Sequence, residues 1–124
     1  MLIDDNPHDN FFHERAIKAY DKSDIVITKE SGTEALEYLN TGTDPHSDLI
    51  FLDINMPGMN AWEFLKRYDL LDKTKKSQPI IIMLTTSANP FDLEKAKQWD
   101  SVSDFITKPL TKEKMKVIAD KYFQ

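Results

Sequence analysis

The sequence predicts an α/β protein, a three-layer α/β/α sandwich built on a five-stranded parallel sheet. Three observations carry that expectation. Short runs rich in branched apolar residues recur along the chain, and they are mostly continuous, as strands covered on both faces are. Helix-start signals fall between them, giving five repeats of strand then helix. Parallel strands joined by right-handed helical crossovers place helices on both faces of the sheet.

The elements follow in order. Met1-Leu2-Ile3 forms a short first strand that ends on Asp4-Asp5, and Asn6-Pro7 ahead of Asp9 opens the first helix. An Asn N-cap, a proline in the first turn and a first-turn acid each favour a helix start. Ile25-Val26-Ile27 is the second strand, and Ser31 ahead of Glu34 starts the second helix. Leu49-Ile50-Phe51-Leu52 is the third strand, running into Asp53, and Asn60 ahead of Glu63 starts the third helix. Ile80-Ile81-Ile82-Met83-Leu84 is the fourth strand, ending in Thr85-Thr86, with Asn89-Pro90 and Asp92 opening the fourth helix. Phe105-Ile106 is the fifth strand and runs into Lys108-Pro109. The last helix begins near Thr111, where Met115, Ile118, Ala119 and Tyr122 share one apolar face. The polar stretches from Thr41 to Ser47 and from Asp72 to Gln78 fit as connections between a helix and the next strand.

Composition sets outer bounds. At 124 residues the chain suits one domain with a real core. A formal net charge of −5 argues against a non-specific nucleic-acid binder, which would carry a basic face. There is no cysteine, so disulfide and thiolate chemistry are excluded. No apolar run approaches the ~20 residues of a membrane span, and no signal peptide is expected, so the sequence reads as cytoplasmic.

In an open parallel sheet, functional groups collect outside the carboxyl ends of the strands. The residues that end these strands are Asp4 and Asp5, Asp53, Thr85 and Thr86, and Lys108. Three carboxylates, hydroxyls and one ammonium meet at one edge if the first and third strands are neighbours. Carboxylates held together repel, and a raised pKa or a bound cation relieves them. A hard, oxygen-loving ion such as Mg²⁺ suits the set. Beside such an ion a carboxylate can act as nucleophile and form an aspartyl phosphate, with Lys108 and Thr85 meeting phosphate oxygens.

The stretches "LIDDNP", "LIFLDINMPGMNAWEFL", "PIIIMLTTS" and "FITKPL" span the chain in an order that resembles the receiver domains of two-component signalling, the response-regulator family typified by the chemotaxis regulator CheY. The resemblance implies a flavodoxin-like (βα)5 fold with strand order 2-1-3-4-5 and one receiver domain over residues 1–124; with the fifth helix closing the chain, no residues are expected to remain for an output domain. It implies that Asp53 accepts phosphate from a histidine kinase or a histidine phosphotransfer protein. Asp5 and Asp53 would ligate Mg²⁺, with the Asn55 backbone carbonyl as a further ligand and Asp4 acting mainly through water. Thr85 would be the switch hydroxyl, Lys108 the phosphate partner and Phe105 the switch aromatic. Pro109 would follow an often cis bond, and Asn55 and Ser87 would tune the phosphate lifetime. The downstream protein target would read the face made by the fourth helix, fifth strand and fifth helix.

Each residue also has a plainer reading. Asp5 or Asp53 alone would pass as a turn or helix-entry acid, Thr85 as a β-branched strand residue and Phe105 as a core aromatic. The joint pattern favours the functional reading. His8, His13 and His46 lack the spacing of a helical metal pair and are expected at the surface. The lysine-rich "KTKKS" and "KEKMK" read as solvated faces, and Trp99, near the end of the fourth helix, reads as packing for its loop. Relay of phosphate to a second histidine, or a place within a hybrid kinase, is the alternative within signalling. An aspartyl-nucleophile phosphatase of the haloacid-dehalogenase type would need an acid two residues beyond the nucleophile, where Asn55 stands. A flavodoxin would need a Ser/Thr/Gly-rich loop where this chain has Asp4-Asp5-Asn6-Pro7. The chain is therefore expected not to be an enzyme.

Overall fold

The computed structural model describes residues 1–41, 47–54, 56, 58–71, 79–86 and 89–123. Five strands alternate with five helices: β1 (Leu2–Ile3), α1 (Pro7–Tyr20), β2 (Thr28–Lys29), α2 (Gly32–Thr41), β3 (Leu49–Asp53), α3 (Ala61–Tyr68), β4 (Ile80–Thr85), α4 (Pro90–Lys97), β5 (Val102–Thr107) and α5 (Lys112–Tyr122). The sheet is parallel throughout, in the order β2-β1-β3-β4-β5. β1 and β3 are therefore neighbours, and the strand order reverses between them. The sequence expectation of fold and strand order holds.

The continuous apolar runs are explained by two cores. Ile50, Leu52, Ile81 and Met83 face Ala35, Phe64 and Leu65 on the side of α2 and α3. Their sequence neighbours Phe51, Ile82 and Leu84 face Ile17, Met115 and Ile118 on the side of α1 and α5. Successive strand residues point to opposite faces, so a strand covered on both sides needs an apolar residue at every position. Trp99 packs against the α2/α3-side core, as its reading as loop packing requires.

All five predicted helix starts are capped. Asn6 accepts from His8 N and Asp9 N, Asn60 from Glu63 N, Asn89 from Phe91 N, Thr111 from Lys114 N, and Ser31 Oγ from Glu34 N. Each bond satisfies a backbone donor that the first helical turn would otherwise leave without an intrahelical partner.

Two strands differ from expectation. The second was expected at Ile25–Ile27, but its ladder lies at Thr28–Lys29, opposite Leu2 and Ile3. Register decides this: the Leu2 N–H reaches the Ile27 carbonyl at 2.8 Å, while Ile25 stands 72% exposed. Strand propensity in that run marks apolar character without fixing where pairing occurs. The fifth strand is longer than Phe105-Ile106 because β5 is an edge strand, where Ser103 and Asp104 sit in the ladder without the cost of full burial. A register shift at Ile81/Ile82 accommodates the extra residue Ser103.

No described helix is long and apolar enough to cross a membrane. Most of the two polar connections, residues 42–46 and 72–78, lie outside the described residues, as do His46 and "KTKKS".

Candidate functional site

The carboxyl edge of the sheet collects the predicted side chains. Asp4 follows β1 directly and is held by a backbone bond from its N–H to the Lys29 carbonyl, 3.0 Å. Its Oδ1 accepts from Asn6 N at 3.0 Å. Asp53 is the last residue of β3, and β3 pairs with β4 so that Asp53 lies opposite Leu84. Asp4 and Asp53 are both buried, at 3% and 5% exposure, whereas Asp5 is exposed. One carboxylate oxygen from each of Asp4, Asp5 and Asp53 lies within 4.8 Å of the others.

Lys108 reaches this group from the far side of the sheet. Its backbone N–H donates to the Thr85 carbonyl at 2.6 Å, extending the β4–β5 pairing by one residue, and the Lys108–Pro109 bond is cis. Its side chain then crosses β4. Nζ donates to Asp4 Oδ2 at 2.7 Å and Asp9 Oδ2 at 3.0 Å, and stands 3.3 Å from Asp53 Oδ1. Thr85, buried at the end of β4, lies one residue beyond the position level with Asp53, while Thr86 is exposed. Phe105 is half-buried against the α2/α3-side core.

The electrostatics follow from burial and crowding. Burial, and then the Asp4 charge, push the Asp53 carboxyl up to about 6, against the opposing pull of the Lys108 ammonium. For Lys108, burial works against the charge. The hydrogen bonds to Asp4 and Asp9 and the Asp53 charge outweigh it and hold the ammonium above its ordinary range.

The donor set fits a hard divalent ion. It offers only oxygen ligands and an excess of negative charge. The three oxygens lie within 4.8 Å of one another, near enough to converge on one small ion with modest movement, since ligands of an octahedral Mg²⁺ at about 2.1 Å stand roughly 3 to 4 Å apart. Asn55 and Ser87 lie outside the described residues. The loop between Asp53 and α3 contains Gly58 at φ +81°, a conformation that glycine adopts without strain, and ends on the Asn60 cap.

Three residues on α1 were not expected here. Asp9 was read from sequence only as a first-turn acid, yet it binds Lys108. No local signal marked the contact, because its partner lies 99 residues away in sequence. His13 was expected at the surface and is instead 2% exposed, its Nδ1 without a partner among the described residues. Burial, then the Lys108 charge, lower its pKa, with Asp4 and Asp9 opposing. Helical spacing explains the correction: Asn10, His13 and Ile17 form the buried stripe of α1, so a polar ring rides on an otherwise core-facing row. Asn10 ties α1 to the strand end, its Nδ2 donating to the Asp4 carbonyl at 2.9 Å.

Comparison with known proteins places these features in context. The pattern of the response regulator receiver domain family matches residues 1–120. A hybrid signal transduction histidine kinase of Dictyostelium discoideum is 36% identical over 93 residues, covering 74% of this chain and 5% of the kinase. A two-component response regulator of Oryza sativa subsp. japonica is 29% identical over 98% of this chain and 91% of its own length. Among solved structures, a two-component response regulator from Cytophaga hutchinsonii superposes with a TM-score of 0.85 at 30% identity, covering 97% of this chain and 92% of that one.

Proposed function

Because the chain belongs to the response regulator receiver family, signalling modules of two-component systems, we propose that Asp53 is its phosphoacceptor and that phosphate there switches a protein-binding face. The observation that carries this is one buried carboxylate at a strand end, 3.3 Å from an ammonium and within reach of two further acids. The whole span 1–124 acts as a single receiver domain.

An Asp53 carboxylate oxygen attacks the phosphorus of a phosphohistidine on a histidine kinase or phosphotransfer protein. The new O–P bond forms as the P–N bond breaks, and the electron pair leaves with the imidazole. Asp4, Asp5 and Asp53, with the Asn55 carbonyl, would hold Mg²⁺. When bound, that ion neutralises phosphoryl oxygens and so supports in-line transfer. Lys108 meets one phosphoryl oxygen as a point charge, and the Thr85 hydroxyl meets another.

Thr85 drawn toward the phosphate leaves room for Phe105 to turn inward. The surface formed by α4-β5-α5 then presents a different shape to a downstream protein target. A phosphate needs to bias such a two-state equilibrium by only a few kcal/mol. The chain works in this reading as a binding module of the cytoplasm and not as an enzyme, and it needs neither nucleic acid nor membrane.

The similarity to part of a hybrid kinase favours a second reading, in which Asp53 passes phosphate onward within a relay. Acetyl phosphate with Mg²⁺ tests the first reading: one phosphoryl group is expected on the wild type and none on Asp53→Asn. Mixing the phosphorylated chain with a histidine phosphotransfer protein tests the second, which requires the label to move.

A further inference from the structure

We infer that Asp9 is a positioning residue for Lys108: as the outermost of three carboxylate partners it draws the ammonium outward and limits how closely it pairs with Asp53. The inference deepens the phosphoacceptor reading of Asp53 and rests on it.

The ammonium of Lys108 has three donors and three carboxylate neighbours: Asp4 at 2.7 Å, Asp9 at 3.0 Å and Asp53 at 3.3 Å. These neighbours differ in depth. The side chains of Asp4 and Asp53 are 4% and 8% exposed, and that of Asp9 is 39% exposed. Asp9 is thus the outer anchor. It also stands apart from the group of three acids that would hold a cation. Its hold on Lys108 therefore does not compete for the same oxygens.

Asp9 is itself held in place. Its N–H donates to the Asn6 cap at 3.3 Å, Pro7 opens the helix, and the adjacent Asn10 fastens α1 to the Asp4 carbonyl. Without the Asp9 carboxylate, the attraction left for Lys108 comes from Asp4 and Asp53, both deeper. The ammonium, already 3.3 Å from Asp53 Oδ1, would then pair more closely with the carboxylate that has to attack phosphorus and would have to be drawn off it before reaction.

The direct test needs no phosphoryl transfer. In protein carrying ¹⁵N-lysine, the Lys108 Nζ resonance is identified by its absence in Lys108→Arg. Asp9→Asn is expected to shift or broaden it, and Asp9→Glu to restore it. An unchanged resonance in Asp9→Asn would overturn the inference. The second arm is the rate of phosphate uptake from acetyl phosphate at saturating Mg²⁺. Asp9→Asn is expected to slow uptake about fivefold, the scale of a partly exposed ion pair, and to have no further effect in a Lys108→Met background, where residue 108 carries no charge. The same slowing in both backgrounds would show that Asp9 does not act through Lys108 and would equally overturn it. A wild type that takes no phosphate would instead sink the phosphoacceptor reading, and the resonance would still decide whether Asp9 anchors Lys108.

Discussion

Lys108 and Asp53 sit on opposite sides of β4, yet Nζ and Oδ1 stand 3.3 Å apart. The lysine side chain spans the intervening strand, and only 11% of it is exposed. An ammonium there holds together a cluster of acids that would otherwise repel one another.

Removing that charge should destabilise the fold in a pH-dependent way. In Lys108→Ala, Asp4 and Asp53 are left buried without their cation, a loss of about 3 kcal/mol for a broken buried pair. Urea denaturation in the absence of divalent ions should show most of this loss at pH 7.5. Less should remain at pH 5, below the Asp53 pKa of about 6, where that carboxyl is mainly neutral and its share of the loss is removed.

Asp53 itself should work against stability at neutral pH. Its folded pKa, about 6, lies above the ordinary carboxylate value, so between the two the folded state binds the extra proton. Its contribution therefore worsens as pH rises toward and through 6. Asp53→Asn, which removes the charge, should gain on the order of 2 kcal/mol over wild type at pH 7 without divalent ions, and should lose that advantage at pH 4. Paired denaturation curves at the two pH values check this.

His13 has the opposite sign. Its folded pKa is lowered, so the unfolded chain takes up the proton first as pH falls below about 6.5. Stability from this group is full above that value and is lost on acidification. His13→Gln should therefore lose less stability than wild type between pH 7 and pH 5, measured by chemical denaturation.

The Asn60 cap should matter for stability and not for chemistry. Asn60→Ala removes the acceptor for Glu63 N and should cost about 1 kcal/mol. Phosphate uptake at 20 °C, followed by intact mass, should keep the wild-type rate because Asp4, Asp5, Asp53 and Lys108 are untouched.

Much of this architecture was legible in the sequence because its signals are local. Asn6, Ser31, Asn60, Asn89 and Thr111 announce helix starts through short-range hydrogen bonds, and continuous apolar runs announce strands covered on both faces. Asp4, Asp5, Asp53 and Lys108 were legible as strand-end residues once parallel topology was assumed. What escaped depends on partners distant in sequence. The β2 ladder lies at Thr28–Lys29 because β1 sets the register. The burial of His13 follows from the rotation of α1 against the sheet. Asp9 acquires its partner only when β5 delivers Lys108 across β4, a contact that no local pattern encodes.

The central claim is that Asp53 accepts a phosphoryl group, and its most direct measurement is intact mass after incubation with acetyl phosphate and Mg²⁺, followed by peptide mapping. The account predicts a single phosphoryl group on the wild type, mapped to Asp53, dependent on Mg²⁺ and lacking in Asp53→Asn. No added mass on the folded wild type, or equal addition to Asp53→Asn, would contradict it.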